Sequence, residues 1–465
     1  MRTSVQKNIN FTEGKIIPKM ILFSVPIILS ELLQSLYNSV DSLVVGNFVS
    51  DAALAAVSVC GPIANLLIGF FNGMSIGNTV MVARAFGSGD EERTKKAVRY
   101  AFTFSIVLGI LVSALGIVLA PVLLKLTDCN EEIYAEAIVY LRIYLAGLMF
   151  TVIYNCGTGI LRAVGDSRGP LTVLIFTSVL NILLDLLFVG VFGWGTAGVG
   201  VATIVAQGIS VLLVHRLIRS RIGTKAVALR ETWRDGRRPI WEAVSVGYSA
   251  GLQNAMISFS NIFVWSYINA FPTAVSAGIG AAVKIDHFVI LPCKAVTMTT
   301  TTFVSQNLGG ARYERAKKGF WYGLSVSAAV TAVLVLGLIF LAVPALGLFS
   351  RDPEVIAAGV SMVRFFLPFY SVMVVREVML GYLRGYGRSR IPMILTLTAM
   401  VAMRQIYLAL ATARWPGKIC VMNASFPFGW TFAMLFLLVY LLLVRRRMWQ
   451  EAENKNGGEN GIKQA

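Results

Sequence analysis

Two carboxylates of this chain, Asp41 and Asp185, stand inside long apolar stretches. At membrane depth an ionised side chain costs roughly 2.5–3.5 kcal/mol on insertion scales, so such groups face a cavity or a partner. Asp41 lies in the outward part of the first apolar run. Asp185 lies well into the fifth, about 22 Å along a helix rising 1.5 Å per residue, so the two reach a similar depth. Asn181, four residues before Asp185, shares its helical face. Thr203 follows the glycine-rich entry to the sixth run and sits in the same outer half. Two carboxylates, an amide carbonyl and a hydroxyl are hard oxygen donors suited to a hard cation such as sodium. Alternatively, two nearby carboxylates can share a proton and titrate as a unit. The plainer reading is that both acids cap helix ends or bond neighbouring amides.

Other polar residues in apolar surroundings leave similar choices open. Glu31 lies about 15 Å below Asp41 on the same helix, where it either faces a cavity and attracts a cationic compound or pairs with a buried polar group. Pro26 removes a backbone hydrogen bond and bends its helix; a fixed kink and a moving one are both open. In the second half, Arg376 and Glu377 are adjacent, and Lys284, Asp286 and His287 cluster in the eighth run. They form internal pairs or a substrate-binding patch. Tyr37, Phe70, Tyr154, Phe259 and Trp265 can stack on a planar cation or simply pack against protein and lipid.

The elements that must position these groups are long helices. Of 465 residues 56% are hydrophobic and 14% charged, where a soluble domain is about 25% charged. A span needs about 20 mostly apolar residues. Twelve such runs are expected, near 16–40, 53–80, 97–124, 134–158, 170–192, 196–216, 240–267, 274–303, 319–343, 356–382, 392–412 and 424–445. Their continuity excludes a β-barrel, whose segments are short and alternating. The polar head precedes a run too long for a signal peptide's apolar region, so that run is expected to remain as the first span. The cysteines Cys60, Cys129, Cys156, Cys293 and Cys420 are scattered without a CxxC pair, which indicates neither a metal site nor a disulfide framework. There is no HExxH motif and only His215 and His287 are histidines, so an enzyme is not expected and no cofactor is implied. The spans leave no sizeable soluble domain for a receptor or scaffold.

The net charge of +17 resides in short loops. Arg93, Lys95, Lys96 and Arg99 follow the second run, Arg162 and Arg168 the fourth, Arg312, Arg315, Lys317 and Lys318 the eighth, and Arg384, Arg388 and Arg390 the tenth. The segment from Arg216 to Arg238 and the tail Arg445, Arg446 and Arg447 fall on the same side if there are twelve spans. The positive-inside rule then places both termini in the cytoplasm of an inner (plasma) membrane protein. The partners of these charges are lipid headgroups and not nucleic acid.

A repeat runs through the polar loops. VARAFGSGDEERTKKAVRY begins at Val82 and VSQNLGGARYERAKKGFWY at Val304; LRAVGDSRGP begins at Leu161 and LRGYGRSRIP at Leu383, both displaced by 222 residues. The same displacement sets Arg142 on Arg364 and Glu31 on Gln253. Each copy holds six spans, so both lie the same way up, related by a pseudo-two-fold axis along the membrane normal and enclosing a cavity. The expected organisation is all-α: a cytoplasmic segment 1–15, a six-helix bundle 16–216, a basic linker 217–239, a second bundle 240–445 and a cytoplasmic tail 446–465.

SVPIILSELLQSLYNSVDSLVVG, NTVMVARAFGSGD, TGILRAVGDSRGP, GTAGVGVATIVAQ and FVSQNLGGARYERAKKG together resemble the multidrug and toxin extrusion (MATE) family over nearly the whole chain. In its first-half residues the chain looks most like the DinF-like branch. The resemblance implies a monomeric antiporter exporting organic cations, drugs or other amphipathic compounds in exchange for sodium ions or protons. It assigns the cation site to Asp41, Asn181, Asp185 and Thr203, and a bend of the first helix to Pro26. Glu31, Gln253, Glu377 and Asp286 are candidate cavity residues. The seventh run lacks the buried acid of the sodium-coupled branch, which puts a second-half cation site in doubt. The wider group includes flippases of lipid-linked sugars, and flipping of a lipid-linked precursor is the alternative function.

Overall fold

A computed structural model describes residues 8–48, 51–125, 127, 129–223, 232 and 234–461, with the side chains of 37–48, 51–54 and 455–461 left outside the description. Among the described residues twelve long helices follow one another. They are α1 (Ile16–Phe48), α2 (Asp51–Gly87), α3 (Glu91–Lys125), α4 (Glu131–Ala163), α5 (Arg168–Asp185), α6 (Gly195–Ile222), α7 (Arg237–Ile268), α8 (Thr273–Gly309), α9 (Tyr313–Gly347), α10 (Pro353–Gly385), α11 (Arg390–Arg414) and α12 (Ile419–Gly461). Several run past the apolar limits: α2 and α8 carry on to Gly87 and Gly309, beyond the expected ends at 80 and 303.

Eleven of these helices are long and apolar enough to cross a membrane. The twelfth, α7, has the length but carries Ser249, Gln253 and Ser260, all buried. Their polar groups face protein and not lipid, which is how a helix of low apolarity holds its place in a bundle. The chain is a polytopic all-α membrane protein.

The repeat is written into the backbone. Positive φ occurs at Gly89 and Ala311, at Gly165 and Gly387, and at Gly195 and Gly417, each pair separated by the displacement seen in the sequence. Ala311, at φ 55°, shows that the turn is kept even where a side chain must enter left-handed space. The helix starts match too. Asn130 caps α4 by accepting from the Glu132 amide at 3.1 Å, and its counterpart Asp352 caps α10 by accepting from Glu354 at 2.8 Å.

Contacts divide the chain into two compact units, the first comprising Met1–Asn10 and Val25–Gly251, the second Phe11–Ser24 and Leu252–Ala465. The opening segment of α1 thus packs with the second unit and the opening segment of α7 with the first. In the first unit α7 lies on α2 with backbone against backbone. A Cβ on Gly73 would collide with Gly251, and one on Gly77 with the Ala243 carbonyl. The facing pairs Gly73, Gly77 and Gly247, Gly251 form two small-residue seams that permit this approach. In the second unit the corresponding crossing is α1 on α8, where Ser24 and Thr299 share a hydroxyl hydrogen bond of 2.8 Å. There Phe11 is wedged between Phe23 and Phe303, and Arg315 donates to the carbonyls of Phe11, Glu13 and Gly14.

Each unit also ties its fourth-to-fifth helix turn to its last helix. Asp166 holds the Gly169 amide at 2.8 Å and pairs with Arg221 near the end of α6. Its counterpart is Arg388, which pairs with Glu451 on α12. The same brace is built with opposite polarity.

Candidate functional site

In the first unit the buried face of α5 runs through Pro170, Val173, Leu174, Thr177, Asn181 and Asp185. The spacing is that of one helical stripe, and it ends on two polar residues a turn apart, both fully buried. Directly after Asp185 the helix widens into a π-helical turn, Leu186–Val191. Such turns insert one residue into a helix and redirect the side chains on either side. Thr203 lies on α6, the helix packed against α5, and donates its hydroxyl to the Val199 carbonyl at 2.9 Å. Asp41 falls on α1, but its side chain and that of Tyr37 lie outside the described residues.

Pro26 sits within a continuous α1, and Ser30 donates to its carbonyl at 2.8 Å. The division between the two units passes just before it, at Ser24 and Val25. Glu31 is half-buried and within electrostatic reach of the Tyr154 hydroxyl. Phe70 packs edge-on against Phe71 and Tyr248.

The second unit is different. The buried Arg376 and the half-buried Glu377, neighbours on α10, form an ion pair, and Arg376 also reaches the Met400 sulfur. Asp286 on α8 accepts from the Tyr370 hydroxyl at 2.9 Å, with Arg376 and Lys294 as its nearby positive charges. Gln253 accepts from Arg384 at 3.4 Å, and Lys284 lies over the Phe349 ring. The polar groups here are thus engaged with one another, as internal pairs.

A family model, MatE, matches residues 26–187 and again 250–407, one copy per repeat. The chain belongs to the MatE family. It is 28% identical over 422 residues, 89% of its length and 92% of the relative's, to the probable multidrug resistance protein YpnP of Bacillus subtilis. It is 25% identical to the probable multidrug resistance protein YoeA of the same organism, over 90% of this chain and 92% of that one. Among solved structures, a MATE transporter in a bent conformation superposes with a TM-score of 0.86 at 22% identity, covering 97% of this chain and all of the other.

As a MatE protein the chain is a secondary transporter of a multidrug-exporting family, not an enzyme. Of the candidate residues, Asn181 and Asp185 share one buried stripe and Thr203 stands on the adjoining helix; Glu377 and Asp286 fall in the paired core of the second unit. Arg404 and Gln405 escaped the sequence reading. Arg404 is buried and donates to Ser260 at 2.9 Å and Asn261 at 2.8 Å, and Gln405 also donates to Ser260. The signal was present, since an arginine in the middle of the eleventh apolar run is as costly there as Asp185 is in the fifth.

Proposed function

We propose that this MatE transporter exports small amphipathic or cationic compounds in exchange for sodium ions or protons, with the cation taken up in the first unit by Asp41, Asn181, Asp185 and Thr203. The observation that carries the reading is the full burial of Asn181 and Asp185 on one stripe of α5. A carboxylate and an amide held together away from water are stabilised by taking up an ion or a proton. The Bacillus relatives named for multidrug resistance support the substrate class. The first-unit residue set also supports placing the chain beside the DinF-like branch.

On this reading both termini are cytoplasmic, residues 16–216 and 240–445 act as the two halves of a monomer, and Pro26 is the bend of α1. The half-buried Glu31 then attracts the cationic substrate. The test is dye uptake into inside-out vesicles under an imposed sodium or proton gradient, with a lipid-flipping control. Gradient-driven uptake by the wild type that Asp185→Asn abolishes at equal abundance supports the exchange. Undiminished uptake by that variant sinks it, and flipping without dye transport points to a lipid-linked substrate.

A further inference from the structure

The buried stripes of α5 and α11 can be compared residue by residue, because the repeat places them in one register. They begin alike: Pro170 and Pro392, Leu174 and Thr396, Thr177 and Ala399 are buried pairs displaced by 222 residues. Above that level they part. In α11 the π-helical turn comes early, at Thr398–Met403, whereas in α5 it follows Asp185. One inserted residue advances the buried face by one position. The buried residues of α11 are therefore Arg404 and Leu408, not Met403 and Tyr407, which a plain count sets against Asn181 and Asp185. The stripes agree again at Val189, which lies within the π turn of α5, and Ala411, which lies beyond that of α11. The guanidinium of Arg404 thus starts from the buried position of Asn181, and Leu408 takes that of Asp185.

The surroundings of Arg404 suit this exchange of roles. Its partners are oxygens of a hydroxyl and an amide, Ser260 and Asn261, with the Phe426 ring 5.7 Å from the guanidinium carbon. Among the described residues no carboxylate makes an ion pair with it; Glu377 is taken by Arg376, itself a like-charged neighbour. Ser425, the counterpart of Thr203, is fully buried with its hydroxyl on the Met422 carbonyl. An arginine does not deprotonate in proteins. This charge is permanent.

We propose that Arg404 is a built-in cation of the second unit. It stands where the first unit takes up its exchangeable ion, so that the second unit needs none and transport is coupled through the first alone. The inference rests on the cation reading of Asn181 and Asp185 given above, and it makes Arg404 a positioning residue whose charge, not its shape, matters.

The test uses the full chain in proteoliposomes, with a cationic dye and an imposed gradient of the coupling ion. Arg404→Lys is expected to keep the wild-type rate and its first-order dependence on that ion, whereas Arg404→Met loses most transport. Arg404→Asn combined with Leu408→Asp rebuilds the pair of α5 in α11. It is expected to recover transport with a steeper, second-order dependence. Wild-type transport by Arg404→Met, equal loss in the Lys and Met variants, or an active double variant that stays first order would each overturn the proposal. If the double variant does not accumulate, the contrast between Lys and Met decides. Asp185→Asn, run in parallel, reports separately on the first-unit reading, which fails if that variant keeps coupled transport whatever the Arg404 variants do.

Discussion

α5 and α11 descend from one repeat, carry a proline at the same first-turn position and bury the same side as far as Thr177 and Ala399. What separates them is where each helix admits its extra residue. Below Asn181 α5 is regular, so an amide and a carboxylate reach the interior; in α11 the earlier π turn brings Arg404 and Leu408 inward instead. The rest of the second unit follows suit, with Glu377 tied to Arg376 and Asp286 to Tyr370. A duplicated helix can be given a different interior by moving a bulge, because half-buried neighbours such as Ile182 already stand beside the stripe.

The largest effect is expected from transplanting the α11 pair into α5. Asn181→Arg with Asp185→Leu should bring gradient-driven dye uptake in vesicles down to the level seen without a gradient, while thermal unfolding shows the protein still folded. Retained coupling would mean that the two helices differ for reasons unrelated to the ion.

Next come the two helix crossings. Gly77→Leu must push apart the backbones of α2 and α7 and should cost about 3 kcal/mol or more, beyond the usual overpacking penalty of about 1–3 kcal/mol. Its counterpart Thr299→Leu, where a hydroxyl contact replaces the glycine seam, should cost only about 1–2 kcal/mol. Thermal unfolding in detergent ranks the two; the reverse order would contradict the packing described.

A smaller loss, about 1–2 kcal/mol, is expected for Tyr370→Phe, which leaves buried Asp286 short of a donor. The same assay reads it, with no change expected in the order of transport in the coupling ion. Smallest is the brace at the helix turns. Asp166→Arg alone should cost about 1 kcal/mol, and adding Arg221→Glu should recover part of it by copying the polarity of Arg388 and Glu451. A double variant no better than the single one would show the turn's amide bond to Gly169, not the ion pair, to be what holds it.

Much of this molecule was legible in its amino-acid string. The apolar runs announce the helices, because a bilayer demands about 20 apolar residues per crossing. The repeat shows in the loops, where Gly165 and Gly387 or Lys95 and Lys317 have no reason to coincide by chance. The burial of Asn181 and Asp185 on one stripe also follows from their spacing. Two things were not legible. The exchange of the opening segments of α1 and α7 between contact units leaves no mark on a hydropathy pattern, since either neighbour hides an apolar face equally well. The choice of the Tyr370 hydroxyl as the partner of Asp286 depends on which side chains α8 and α10 bring within reach.

The sequence by itself determined twelve helices in two copies of one repeat, because apolar length acts locally and needs no knowledge of neighbours. The tertiary structure alone decided which face of α11 turns inward. A π turn adds a residue without leaving a gap in the aligned text, so Arg404 reads as the counterpart of Ile182 until packing shows it in the place of Asn181.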